Sequence, residues 1–149
     1  MNIELRTIDE SNRQACLSLR VAGEQTSFIA SNRRSLEQAA EQPAVARPFA
    51  IYAEGTVVGF AMFAFDEDYE DPDDRYWLWR FMIDERFQRR GYGAAALQAI
   101  VAYFKENGAN HIKLSTKPDN TAALTLYRRC GFRENGEQNG EEIVLRRSL

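Results

Sequence analysis

Apolar and polar residues alternate along Ile3-Glu4-Leu5-Arg6-Thr7-Ile8, the period of a strand with one buried face. Asp9 to Ser11 then supply helix-capping side chains, with Gln14 three residues beyond Ser11, so a helix is expected to follow. Ser27 to Gln42 is mixed but helical in character and must stop before Pro43, whose ring disfavours helical geometry in the residue ahead of it. Phe49-Ala50-Ile51-Tyr52-Ala53 returns to strand chemistry, and Glu54-Gly55-Thr56 turns the chain tightly into Val57 to Phe65. A third, aromatic-rich strand spans Arg75 to Asp84 and can pair antiparallel with the one before it.

From Gly93 the period changes to that of a helix, with Leu97, Ile100, Val101 and Phe104 on one face and Asn107-Gly108 as the stop. His111 to Thr116 is a strand and Pro118-Asp119-Asn120 a turn and cap. Ala123, Leu126, Tyr127 and Cys130 mark a second helical face that ends at Gly131. Phe132 to Gly136 and Glu142 to Arg146 close the chain as a hairpin through Asn139-Gly140. The expected order is β-α-α-β-β-β-α-β-α-β-β. No period of 20 to 50 residues repeats and no linker divides the 149 residues, so 1-149 is expected to be one domain with a core of its own.

Composition narrows the chemistry. With 44% hydrophobic and 28% charged residues the chain is ordinary globular material, and 19 basic against 22 acidic side chains leave no cationic excess for a nucleic-acid backbone. The apolar stretches are too short to span a membrane, and the N-terminus lacks a secretory signal, so a cytoplasmic location is expected. One histidine, His111, excludes a His-rich metal site, and no metal is expected. Cys16 and Cys130 lack CxxC spacing and read as small helix-face fillers in a reducing compartment.

The most informative stretch is Gln88-Arg89-Arg90-Gly91-Tyr92-Gly93, after a strand and at the opening of a helix. The first N–H groups of a helix have no internal partner and sit at the positive end of its dipole, so an anion docks there when side chains leave room. Gly91 and Gly93 leave that room, and Arg89 and Arg90 add donors suited to phosphate. The Walker pattern GxxxxGK[ST] is absent. Gly91 to Ala96 satisfies a relaxed dinucleotide fingerprint, GxGxxA, but Asn110 to Leu114 contains no acid for a ribose.

The segment resembles the acyl-CoA pyrophosphate loop of the GCN5-related N-acetyltransferases, [QR]xxGx[GA] after the fourth strand, matched by Gln88, Gly91 and Gly93. The run from Asn120 to Phe132 is similar to the late N-x-x-A…Y-x-x-x-G-F segment of that family. The resemblance implies an α/β (α+β) acyl-CoA N-acyltransferase fold, a mixed, mostly antiparallel sheet splayed at the fourth strand and flanked by about four helices. It implies acetyl-CoA as co-substrate, with pantetheine beside Phe81, Met82 and Ile83 and the pyrophosphate on the N–H groups of Arg89, Arg90, Gly91, Tyr92, Gly93 and Ala94. Asn120 would touch the cofactor arm and Tyr127 would lie near its sulfur. Family members often carry Gly where Arg89 stands; arginine retains the backbone donor. A homodimer is implied by the resemblance alone.

Acetyl transfer to an amine needs a neutral nucleophile, yet an alkylamine of pKa near 10.4 is only about 0.04% neutral at pH 7. A carboxylate, acting directly or through water, is the expected proton acceptor, and Glu24, Asp84 and Glu85 are unranked candidates. Tyr127 suits the departing thiolate as hydrogen-bond donor or acid, and a backbone N–H near Met82 would meet the oxyanion. Direct transfer is expected; an acetyl group carried on Cys130 is the covalent alternative.

Asp66 to Asp74 holds seven acids in nine residues, and the rest of the chain carries 19 basic and 15 acidic groups. Such a local negative patch attracts a polycation over about 8 Å. The whole chain, including Glu24 to Ile29 and Trp79 to Asp84, resembles bacterial spermine/spermidine N-acetyltransferases. A polyamine such as spermidine or spermine is therefore the expected amine, with Asp66, Glu67, Asp68 and Glu70 as substrate-binding candidates. Another small amine, an aminoglycoside, a protein N-terminus, or a non-catalytic CoA-binding module remain alternatives.

Overall fold

A computed structural model describes residues 2–21 and 31–149. One seven-stranded sheet gathers strands from both ends of the chain in the order β1-β2-β3-β4-β5-β7-β6. The strands are β1 (Ile3–Thr7), β2 (Ala46–Ala53), β3 (Thr56–Phe65), β4 (Tyr76–Ile83), β5 (His111–Thr116), β6 (Arg133–Asn139) and β7 (Glu142–Ser148). Among the described residues the helices are α1 (Arg13–Leu17), α2 (Asn32–Glu41), α3 (Tyr92–Glu106) and α4 (Thr121–Arg129). Every strand pairing is antiparallel except β4 with β5. The expected mixed sheet with about four helices is the observed one.

Boundaries shift where the sequence misleads. β2 starts at Ala46 rather than Phe49 and includes Pro48, which a central strand should not tolerate. The register explains it: β1 reaches only Phe49, where Thr7 pairs, so the side of Pro48 that lacks an N–H faces no neighbour. Ser31 accepts a hydrogen bond from the Arg34 N–H at 3.1 Å and caps α2, so the described helix begins later than Ser27. β6 runs on to Asn139 through an irregularity between Glu134 and Gln138, where Gly136 takes φ 85°.

Alternation sorts the sheet into two apolar faces. On one, Phe49, Ile51, Phe63 and Phe65 pack against Leu97, Ile100 and Phe104 of α3 and Leu124 of α4. On the other, Ala50, Tyr52, Phe60 and Met62 pack with Cys16 and Leu36 of α1 and α2. Each fully buried large side chain contributes about 1.5–3 kcal/mol, and Phe104 of α3 packs its ring against both Phe63 and Phe65. That packing fixes the start of α3 against the end of β4, where the cleft lies.

Candidate active site

β4 and β5 run parallel and pair at one position, Trp77 with Lys113, then diverge. A bulge on the other side of β4 begins this divergence: Met62 pairs with Arg80 and Phe63 with Leu78, leaving Trp79 as an extra residue. Bulges increase local twist and bend the strand that carries them. A cleft of about 1500 Å³ opens between the strands and continues past the entrance of α3 and α4.

The open edge of β4 has a definite polarity. A Cβ on Gly59 would lie 2.4 Å from the Met82 carbonyl, and the Asp84 N–H donates to the Val58 carbonyl at 2.8 Å, so Met82 and Asp84 turn their main chain toward β3. By strand alternation Phe81 and Ile83 present theirs to the cleft. An oxyanion donor near Met82 therefore belongs to Phe81 or Ile83. The Gln88 side chain donates to the Ile83 carbonyl at 2.9 Å, which ties the loop before α3 to that edge.

That loop leaves its donors unspent. The first helical bond of α3 runs from Ala95 N–H to the Gly91 carbonyl at 3.2 Å, and among the described residues no hydrogen bond is donated by the main chain from Arg89 to Ala94. Gly91 is the N-cap, in left-handed geometry at φ 85°, and contributes no capping side chain. Arg89, Gly91, Gly93 and Ala94 line the cleft, whereas Arg90 points to solvent and Tyr92 packs edge-on against Phe87. Gly93 has a second reason to be glycine: its Cβ would stand 3.1 Å from Leu126 of α4.

Across the cleft, Asn120 caps α4 without a side-chain cap bond, and among the described residues its side chain reaches only Thr116 Oγ1, at 3.4 Å. Tyr127 is buried between Phe81 and Phe132, and its hydroxyl has no hydrogen-bond partner among the described residues. Burial, reinforced by the charge of Glu142, pushes its pKa above the ordinary phenol value and holds the proton on. Arg80 on β4 donates to Gln38 Oε1 and to the Trp79 carbonyl, each at 2.9 Å, while its buried Nε finds no partner among the described residues. Burial lowers the Arg80 pKa and Glu142 opposes that shift.

The acidic segment divides in two. Asp73 and Asp74 are anchored: Lys113, buried on β5, contacts both at 3.1 Å and Glu137 at 2.8 Å, and Arg146 holds Asp73 at 2.9 Å. Burial works against the Lys113 charge, but its three carboxylate partners raise its pKa on balance. Of the proposed substrate residues, Asp66 lines the cleft, while Glu67, Asp68 and Glu70 are exposed outside it. Five acids line the cleft, namely Asp66, Asp74, Asp119, Glu137 and Glu142; Lys113 neutralises Asp74 and Glu137.

The candidate bases fare differently. Glu24 lies outside the described residues. Asp84 is buried and committed, accepting from the Arg20 N–H at 2.9 Å and from the Arg86 N–H and Nε at 3.0 and 2.8 Å. Burial alone would raise its pKa; those donors outweigh it and leave the net shift downward. Glu85 is exposed, and neither acid lines the cleft. Cys130 does not line it either, and burial raises its thiol pKa. Burial pushes Cys16 up to about 11, as befits a packing residue. Sequence reading gave neither Arg80 nor Glu142 a role, because only the splay brings β4 and β7 to one cavity.

The acetyltransferase (GNAT) family model matches residues 11–132. The chain is 38% identical to a spermine/spermidine N(1)-acetyltransferase of Bacillus subtilis (strain 168), covering 98% of this chain and 99% of the relative. It is 36% identical, over the same shares, to a probable spermine N(1)-acetyltransferase of Bacillus subtilis subsp. natto. A PaiA N-acetyltransferase from Thermoplasma acidophilum, solved with coenzyme A, superposes over 100% of both chains with TM-score 0.72 at 13% identity, a likeness of fold. A splayed sheet, a donor-rich helix entrance, a family match across most of the length and relatives aligned nearly end to end agree, and the chain belongs to the GNAT family of acetyltransferases.

Proposed function

We propose that this enzyme transfers the acetyl group of acetyl-CoA to a primary amine of a polyamine such as spermidine or spermine, by direct attack in a ternary complex. The observation that carries the reading is one continuous cleft with unspent N–H donors at its α3 end and unneutralised carboxylate at its other. The N–H groups from Arg89 to Ala94 receive the pyrophosphate, and the open edge at Phe81, Met82 and Ile83 receives the pantetheine arm, with Asn120 beside it. The thioester carbonyl then lies along an edge whose N–H donors suit a developing oxyanion. Tyr127 supplies a proton to the departing sulfur. Asp66 pairs with a distal ammonium, and Glu67, Asp68 and Glu70 raise the local concentration of a polycation. The 38% identical relative is named for spermine and spermidine, which favours this amine class. A cytosolic homodimer completes the reading.

Release of CoA thiol with a panel of amines tests it. Spermidine and spermine are expected to turn over well above aminoglycosides, peptide N-termini and simple monoamines, with intersecting initial-rate lines. Tyr127→Phe is expected to lose about 10²-fold or more in kcat while still binding acetyl-CoA by calorimetry. Parallel lines would overturn direct transfer, and equal turnover of monoamines and polyamines would overturn the substrate class.

A further inference from the structure

Glu142 is the first residue of β7 and lines the cleft together with Tyr127 and Arg80. One of its carboxylate oxygens, Oε1, accepts from Ser115 Oγ at 2.7 Å, which fixes the side chain beside the end of β5. The other oxygen has no hydrogen bond, and no cation lies within ion-pair distance, among the described residues. Asp74 and Glu137, by contrast, are spent on Lys113. Asp66, the other half-buried acid free of an ion pair among the described residues, sits in the loop after β3, whereas the charge of Glu142 acts on both Tyr127 of α4 and Arg80 of β4.

We propose that Glu142 is the catalytic proton acceptor for the amine, with Ser115 as its positioning residue. The inference rests on the acetyl-transfer reading and assigns the step to an acid that lines the cleft, as Asp84 and Glu85 do not. The free oxygen of Glu142 takes one proton from the substrate ammonium and leaves a neutral amine. The nitrogen lone pair forms the C–N bond to the acetyl carbon, and the C–S bond breaks with its electron pair going to sulfur. Sulfur takes the Tyr127 proton, and the phenolate recovers the surplus proton of the nitrogen. Two protons thus leave the nitrogen, one through Glu142 to solvent and one through Tyr127 to CoA.

Among the described residues the charged and titratable groups facing Glu142 are Arg80 from β4 and Tyr127 from α4, with the Lys113–Glu137 pair on β5 and β6. Arg80 is the cation that lines the same cleft. Tyr127 stays protonated well above neutral pH, so the acid remains competent through the window in which the amine itself titrates.

The test compares wild type with Glu142→Gln from pH 7 to about 10.5, using spermidine. The variant is expected to bind acetyl-CoA within about twofold of wild type, to lose about 10²-fold or more in kcat/KM at pH 7, and to recover as the pH approaches the amine pKa near 10.4. A lost fold or a lost packing contact would not be rescued by deprotonating the substrate. Activity within threefold of wild type at pH 7, or a deficit that stays constant with pH, would overturn the assignment. If Glu142→Gln fails to fold, Ser115→Ala serves, with a smaller loss that shrinks at high pH; a flat deficit there overturns the assignment too. Should spermidine be inert while another amine reacts, the polyamine reading falls, and the same comparison on that amine decides Glu142. A chain inert toward every amine overturns both.

Discussion

Arg89 and Gly91 both adopt left-handed backbone, at φ 62° and 85°, so the loop before α3 needs glycine geometry twice and has glycine once. Left-handed geometry costs an ordinary residue about 1–2 kcal/mol. Gly91→Ala is therefore expected to lower Tm by about 2–4 °C per kcal/mol in a chain of this size, and to weaken CoA binding by disturbing the adjacent N–H groups. Arg89→Gly relieves comparable strain but gives the unfolded chain about 0.5–1 kcal/mol more entropy, so stability should hold or rise slightly. Its CoA affinity should fall, and fall less at high salt, because a cation at the cleft wall is lost. Thermal unfolding and calorimetry on the two variants check this opposition; an unchanged Tm in Gly91→Ala would mean the loop does not hold this geometry. The sequence made Gly91 and Gly93 stand out for one reason, absence of side chains at an anion site. The structure separates them: Gly91 is needed for its φ, and Gly93 is needed so that Leu126 can approach.

Asp84 joins three elements. It follows β4, caps the short 3-10 turn Glu85–Phe87, and accepts the Arg20 N–H from the segment after α1. Its folded pKa lies below the unfolded value, so its contribution to stability is fully present above about pH 4 and is lost as pH falls through the folded value. Asp84→Asn is expected to cost about 1.5–3 kcal/mol at pH 7, the worth of a hydrogen bond to a charged group. The variant should also lose stability less steeply than wild type below pH 4; denaturant midpoints at pH 7 and pH 3 test both, and parallel losses would remove the ionic role. At this scale the sequence was legible wherever one local period dominates. Leu97, Ile100, Val101 and Phe104 announce α3, and all four are buried as expected. It was illegible where pairing is non-local: Trp79 becomes a bulge only against Met62 and Phe63, and β6 extends past Gly136 only because β7 continues beside it.

Across the whole molecule the two halves of the cleft carry opposite electrostatic demands. The half proposed for the coenzyme is built from a contiguous loop, and its unbonded N–H groups could be anticipated from six residues, because backbone donors and glycines must be local to act together. The acceptor half collects Asp66, Arg80, Tyr127 and Glu142 from four separate elements, so composition shows an acidic cluster but not which acids face inward. The net charge is only −3, so the proposed attraction of a polyamine would depend on this concentration of acid rather than on overall charge. Near 0.15 M salt the screening length is about 8 Å, close to the separation between neighbouring amines of a polyamine, and it shrinks to about 3 Å at 1 M. KM for spermine is therefore expected to rise several-fold between low and high salt, while KM for a monoamine, which makes one contact deep in the cleft, changes much less. Asp66→Asn should flatten the spermine slope without altering the monoamine. The Lys113-bound Asp74 should contribute little to that slope, because its charge is already met inside the protein. A spermine KM as insensitive to salt as that of a monoamine would mean that the acids at the cleft mouth do not touch the substrate.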